Sequence, residues 1–378
     1  MWRKILAIFS VALLAVGCSS GSKELPPAEL VKFNPEVELS VAWSRSIGDG
    51  QGELYNRLTP AVDGTMIYAA DADGLVIAME RFSGKIQWKN KLKKPVSGGV
   101  SAEYGVVLLG TMKGEVIALE SSTGNVRWSA QVNSDVLAPP VTNGSEVVVQ
   151  TGADSLFAFD IVTGQQLWRY DNSPAILTLR GTSTPVITQN TAIFGLSTGQ
   201  IIALDVKKGV PLWGQIIAIP KGRSELERMV DINSKLLVSN NILYVVTYQG
   251  QLAAVDSNSG RILWQRPASS YTGLSQNSNT LYLTLADGSV QAIEESNSTE
   301  LWTNNQLLRR QLSGPAAFYN YVAVGDFEGY LHLLSKADGH FVARRKIGSG
   351  GLRVQPIVVD NMMYVFGNNG KLVALTIK

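Results

Sequence analysis

The sequence predicts an all-β chain folded as an eight-bladed β-propeller of four-stranded antiparallel blades, its ring closed by an N-terminal strand that joins the last blade. Three observations lead there. A motif recurs about every forty residues, strand-length apolar runs alternate with Gly-bearing turns, and a motif fragment near the N-terminus supplies what the last repeat lacks. A period of this length marks repeated supersecondary units, and four-stranded units arranged radially make a propeller.

The chain begins Met1-Trp2-Arg3-Lys4, runs apolar from Ile5 to Val16 and reaches Gly17-Cys18-Ser19-Ser20. A basic start, a short apolar stretch and a small residue before the cut make a secretory signal peptide over residues 1–17. The apolar stretch is too short to cross a hydrocarbon core of about 30 Å at ~1.5 Å per helical residue. Cys18 is the single cysteine, so no internal disulfide is open to it. Leu14-Ala15-Val16-Gly17-Cys18 resembles a lipobox, with Ala15 where Leu is usual, and Cys18 is expected to carry acyl chains such as palmitate. Each buried methylene of such a chain contributes about 0.8 kcal/mol of membrane attachment. The alternative is cleavage nearby, leaving a free thiol. Ser19, where no Asp follows the cysteine, points to the outer membrane, with the protein facing the periplasm. Residues 18–38, with Pro26-Pro27 and no apolar period, are expected to form a flexible tether.

The full chain holds 33 basic and 31 acidic side chains, and removing Arg3 and Lys4 with the signal leaves the two equal. A neutral mature chain gives no general electrostatic case for nucleic acid.

From there the repeats follow in order. The clearest has Ala118, Glu120, Gly124 and Trp128. The same spacing gives Ala78, Glu80, Gly84 and Trp88; Ala158, Asp160, Gly164 and Trp168; and Ala203, Asp205, Gly209 and Trp213. It continues with Ala254, Asp256, Gly260 and Trp264, then Ala292, Glu294, Ser298 and Trp302. A seventh copy is eroded to Leu333, Ser335, Gly339 and Ala343, and an eighth begins at Gly370 and Ala374 but stops at Lys378 before its Trp. Trp43 is the missing piece, so the strand around it is expected to complete the eighth blade. Within the second repeat, strands are expected near 96–101, 105–111, 115–120 and 125–131. Their unbroken apolar runs suit strands covered on both faces. Residues 39–378 therefore form one propeller, expected to be monomeric, and the motif residues themselves are structural.

The Ala-x-Asp-x-x-x-Gly-x-x-x-Trp pattern also resembles the docking repeat of pyrroloquinoline quinone dehydrogenases, which makes a quinoprotein-like periplasmic enzyme one alternative. Those enzymes typically carry an adjacent cysteine pair and an acid-rich metal site. This chain has one cysteine and two histidines, His332 in a strand and His340 in a turn, without metal-ligand spacing. No nucleophile elbow or phosphate loop occurs. No catalytic residue, cofactor or metal is expected. An envelope glycan-binding propeller is a further alternative.

Binding is expected on two irregular connectors. Successive motif Trp residues are 38 to 45 apart, except for 51 between Trp213 and Trp264. The excess lies in 217–231, with Lys221, Arg223, Glu225, Arg228 and Asp231. The preceding connector, 172–181, contains Leu177-Thr178-Leu179-Arg180-Gly181. Both lead from an outer strand to the next blade's inner strand, so they emerge on one face, side by side. Apolar anchors beside an Arg are the usual make-up of an interface hot spot. Alternatively, the leucines plug the channel mouth and Arg180 pairs internally with Asp231 or another acid.

With the lipoprotein signal and the eight repeats, the Leu-Thr-Leu-Arg-Gly segment and the Arg-Ser-Glu-Leu-Glu-Arg-x-x-Asp-x-Asn insertion are similar to the BamB family, across essentially the whole chain. That family comprises propeller lipoproteins of the outer-membrane β-barrel assembly (BAM) complex. The resemblance implies a non-catalytic scaffold that binds the POTRA domains of BamA and assists insertion of barrel precursors. It places Leu177, Leu179, Arg180 and Asp231 against BamA, with Arg223, Glu225 and Arg228 nearby, and Asn233 where the family often has Asp. Exposed outer blade edges would give unfolded precursors a site for strand pairing.

Overall fold

The computed structural model describes residues 25–378; the expected signal peptide and Cys18 lie outside the described residues. The described chain forms eight four-stranded antiparallel sheets. In the first seven, four consecutive strands pair in chain order. Blade 2 is typical, with Val96–Glu103 innermost, then Val106–Thr111, Glu115–Glu120 and Val126–Gln131 outermost. The second and third strands are almost wholly buried and the outer strand is half exposed. That is the burial expected of sheets stacked face to face around an axis.

The motif explains how neighbouring blades lock. Ala118 pairs with Trp128 across the third and outer strands, and a bulge follows at once. The bulge twists the outer strand and swings the indole onto the next blade, where Trp128 Nε1 donates to the carbonyl of Ile161 at 2.9 Å. Trp43, Trp88, Trp168, Trp264 and Trp302 make the same bond one blade further on. The ring of Trp88 lies on Gly124, where any Cβ would sit 2.4 Å from Cε3, and Gly124 has φ +74°. Both facts require glycine there. The motif acid holds the same turn: Asp160 Oδ1 accepts the amides of Val162 and Thr163 at 3.0 and 2.7 Å. The bond from the Thr163 amide, above all, holds its carboxyl below the usual range.

Closure follows the same rule. Leu39–Ser46 pairs with Lys371–Ile377 as the fourth strand of the last blade, and Trp43 stands opposite Ala374, the motif pairing of every intact repeat. The first and last strands among the described residues thus share one sheet, and none of the eight blades is left incomplete.

The expected tether reads differently where it is described. Residues 25–35 form no strand, yet they lie along blade 7. The Ala28 amide donates to Leu308 O, the Glu36 amide donates to Val342 O, and Phe33 stacks on Phe341 at 5.5 Å. Arg310 and Arg344 reach out to the carbonyls of Ala28 and Val31. Blade 7 is the one with Ala343 in place of the motif Trp, so this strap lays Phe33 against an outer strand that lacks the blade-locking indole. Behind it His332 and Asp326 are fully buried, 3.0 Å apart, and Arg344 Nε donates to His332 Nδ1. His340 lies on the surface between Asp338 and Glu36.

Candidate functional site

Every connector from an outer strand to the next inner strand emerges on one face. Residues 171–185 join blade 3 to blade 4, and 217–236 join blade 4 to blade 5. The two are stitched together: the Leu179 amide donates to Asp231 Oδ1 at 2.9 Å. Gly181, at φ +139°, passes so close to Asn233 that a Cβ would stand 2.4 Å from Oδ1. The glycine of Leu-x-Leu-Arg-Gly is therefore fixed by this crossing.

The sequence-derived residues divide into three groups by exposure. Leu177 is 39% exposed, and Arg223, Glu225 and Arg228 stand in solvent. Leu179 and Arg180 are half-buried. Asp231 and Asn233, grouped above with the contact residues, are 2% and 3% exposed and do not reach the surface. Burial pushes the Asp231 carboxyl up to about 6, against the Leu179 amide, which favours its ionised form. Its second oxygen has no partner. The alternative, internal pairing of Arg180 with an acid, is absent among the described residues; its Nη2 donates to Asn56 Oδ1 at 3.2 Å and contacts Met112 Sδ.

The longer insertion is ordered by its own side chains. Glu227 Oε2 accepts the Arg223 and Ser224 amides at 2.6 and 3.2 Å, and Ser224 Oγ accepts the Glu227 amide. This reciprocal Ser-x-x-Glu arrangement is the capping box. Leu226 O is held by Gln249 of the next blade. The turn thus projects Arg223, Glu225 and Arg228 into solvent. Sequence reading passed over the apolar residues between them: Ile176 is 87% exposed, Ile219 68% and Leu226 65%. The Ala-Ile-Leu run at 175–177 was the available signal, since three consecutive apolar residues outside a strand have no sheet to cover them.

Such a face offers apolar side chains ringed by charges on two braced loops, which suits a macromolecular surface. Among the described residues, no three His, Cys, Asp or Glu side chains are placed to share a metal ion.

Known proteins agree with this architecture. The sequence model of the family described as outer membrane protein assembly factor BamB matches residues 72–304 and 286–378. The chain is 58% identical over 376 residues to the BamB of Pseudomonas aeruginosa, covering 99% of each. It is 33% identical over 392 residues to that of Escherichia coli, again covering 99% of each. The crystal structure of BamB from Moraxella catarrhalis superposes with a TM-score of 0.82 at 28% identity, covering 90% of this chain and 100% of that one. A quinohemoprotein alcohol dehydrogenase from Comamonas testosteroni superposes at 0.73, but at 15% identity that likeness is one of fold alone. The chain belongs to the BamB family of outer membrane protein assembly factors.

Proposed function

We propose that this protein is a non-catalytic scaffold of the BAM complex, and that its connector face binds the periplasmic POTRA domains of BamA. The observation that carries the proposal is the pair of braced loops: exposed Ile176, Leu177 and Leu226 stand beside Arg223, Glu225 and Arg228 on a rigid ring. Leu177 and Leu226 supply apolar burial, the exposed charges set orientation, and Arg180 stands behind them as a half-buried cation. Asp231 and Asn233 act from within, Asp231 by fixing the Leu179 amide and Asn233 by bounding Gly181.

Acylated Cys18 would hold the disc at the periplasmic side of the outer membrane. A rigid body held there would keep the POTRA domains in an orientation that receives unfolded precursors. The outer strands support direct precursor contact as well, because they are edges with Val126, Leu167, Leu212, Leu263 and Leu301 exposed.

The test is titration of residues 19–378 against the POTRA segment of BamA from the same organism. Leu177→Asp and Arg223→Glu should each weaken binding about tenfold or more without moving the melting temperature, since both positions are exposed. Arg180→Glu should cost on the order of 2–5 kcal/mol. A folded chain that binds no POTRA segment refutes the proposal, and binding indifferent to all three variants moves the site elsewhere.

A further inference from the structure

The centre of the same face holds a pocket of about 80 Å³. Connectors from opposite sides of the ring meet there: Arg57 Nη1, from the turn before blade 1, donates to the carbonyls of Asn233 and Tyr271 at 3.1 and 2.6 Å. Its charged lining is the half-buried Arg57, Arg180 and Arg353 with the exposed Lys235 at the rim, and no carboxylate is among the lining residues. Arg57 and Arg353 flank one ring, their guanidinium carbons 5.5 and 4.7 Å from the centre of Tyr55. None of the four cations has an ion pair among the described residues.

Their hydrogen bonding is also incomplete. Arg180 Nε, Arg353 Nε, Thr182 Oγ1 and both side-chain polar atoms of Asn233 are buried without a partner. A buried donor without an acceptor costs free energy, and like charges sharing a poorly solvated site repel. Burial holds the Arg353 guanidinium below its usual range, and Arg57 depresses it further. The two fully buried arginines of the described residues are neutralised, Arg81 by Asp360 and Arg310 by Asp326 and Glu328. The central group is built differently.

We propose that this pocket is a binding site for a phosphoryl oxyanion, either free phosphate or the phosphate of a phospholipid headgroup. A single bound group with more than one negative charge offsets several cations at once. Its tetrahedral oxygens present acceptors in directions that a planar carboxylate cannot, matching donors contributed from around the ring. The lining hydroxyls of Thr182 and Thr184 add neutral donors. Occupancy of this pocket does not depend on the partner proposed for the loops.

Calorimetric titration of the purified protein with inorganic phosphate, at ionic strength held constant with sodium chloride, tests the proposal. One site is expected. Arg353→Gln should weaken it about tenfold or more, the loss of a charge-assisted hydrogen bond. Thr182→Val keeps the shape and removes an unpartnered hydroxyl, so it should fold at least as stably yet bind phosphate several-fold more weakly. Competition by short-chain phosphatidic acid would identify a headgroup site, and failure to compete would identify a site for the free ion; either outcome keeps the oxyanion assignment. No phosphate binding by the folded protein, equal heats from acetate, or affinity unchanged in both variants would overturn it.

Discussion

Burial holds the Asp231 carboxyl at about 6, with Asp154 adding repulsion, while the amide of Leu179 pulls the other way. An acid raised in the folded state binds protons that the unfolded chain has released. Its contribution to stability therefore falls as pH climbs from about 4, the unfolded value, to about 6, and stays low above that. Asp231→Asn keeps an oxygen for Leu179 and removes the buried charge. Denaturant unfolding should then lose this slope, with a gain on the order of 1–3 kcal/mol at pH 7.5; an unchanged slope would mean the carboxyl is better solvated than its 2% exposure implies. This is also where sequence reading reached its limit. Leu-x-Leu-Arg-Gly was legible because apolar residues alternate with polar ones outside any strand. Asp231 read as a contact residue because the sequence reports an acid without its burial, and Ile176 was missed because a three-residue apolar run in a loop is too short to show a period.

At the level of the blade, the motif was legible down to individual strands: 115–120 in the second repeat is the strand Glu115–Glu120. Its mechanics were not, since the partner of each Trp lies one blade onward. Those mechanics predict a contrast between two glycines of similar φ, +74° at Gly124 and +77° at Gly105. A Cβ at Gly105 meets nothing within 4 Å, whereas at Gly124 it strikes the Trp88 ring. Gly105→Ala should cost only the left-handed backbone penalty, about 1–2 kcal/mol. Gly124→Ala should add overpacking of about 1–3 kcal/mol and shift Trp fluorescence. Equal costs would show that the indole is not held against the turn. The strap at 25–36 escaped sequence reading for a physical reason. It is Pro-bearing and aperiodic, and it is ordered by Arg310, Arg344 and Phe341, which are remote in sequence.

For the molecule as a whole, ring closure was readable from one displaced tryptophan. Trp43 opposite Ala374 welds the two ends of the propeller, and its Nε1 bonds Arg81 O in blade 1. Removing one weld loosens both neighbours, so Trp43→Ala should cost about 3–5 kcal/mol. Calorimetry should show the first and last blades melting ahead of the rest; a uniform downward shift would argue that the ring does not open there. A closed ring also explains why two irregular connectors can project from a face without disturbing the fold, since each blade is clamped by two neighbours. The most direct check of the scaffold reading is amide hydrogen exchange of the whole protein with and without the BamA POTRA segment. Protection confined to 172–181 and 217–230 is the predicted result. Exchange unchanged in both connectors, with protection appearing on the opposite face or nowhere, would contradict it.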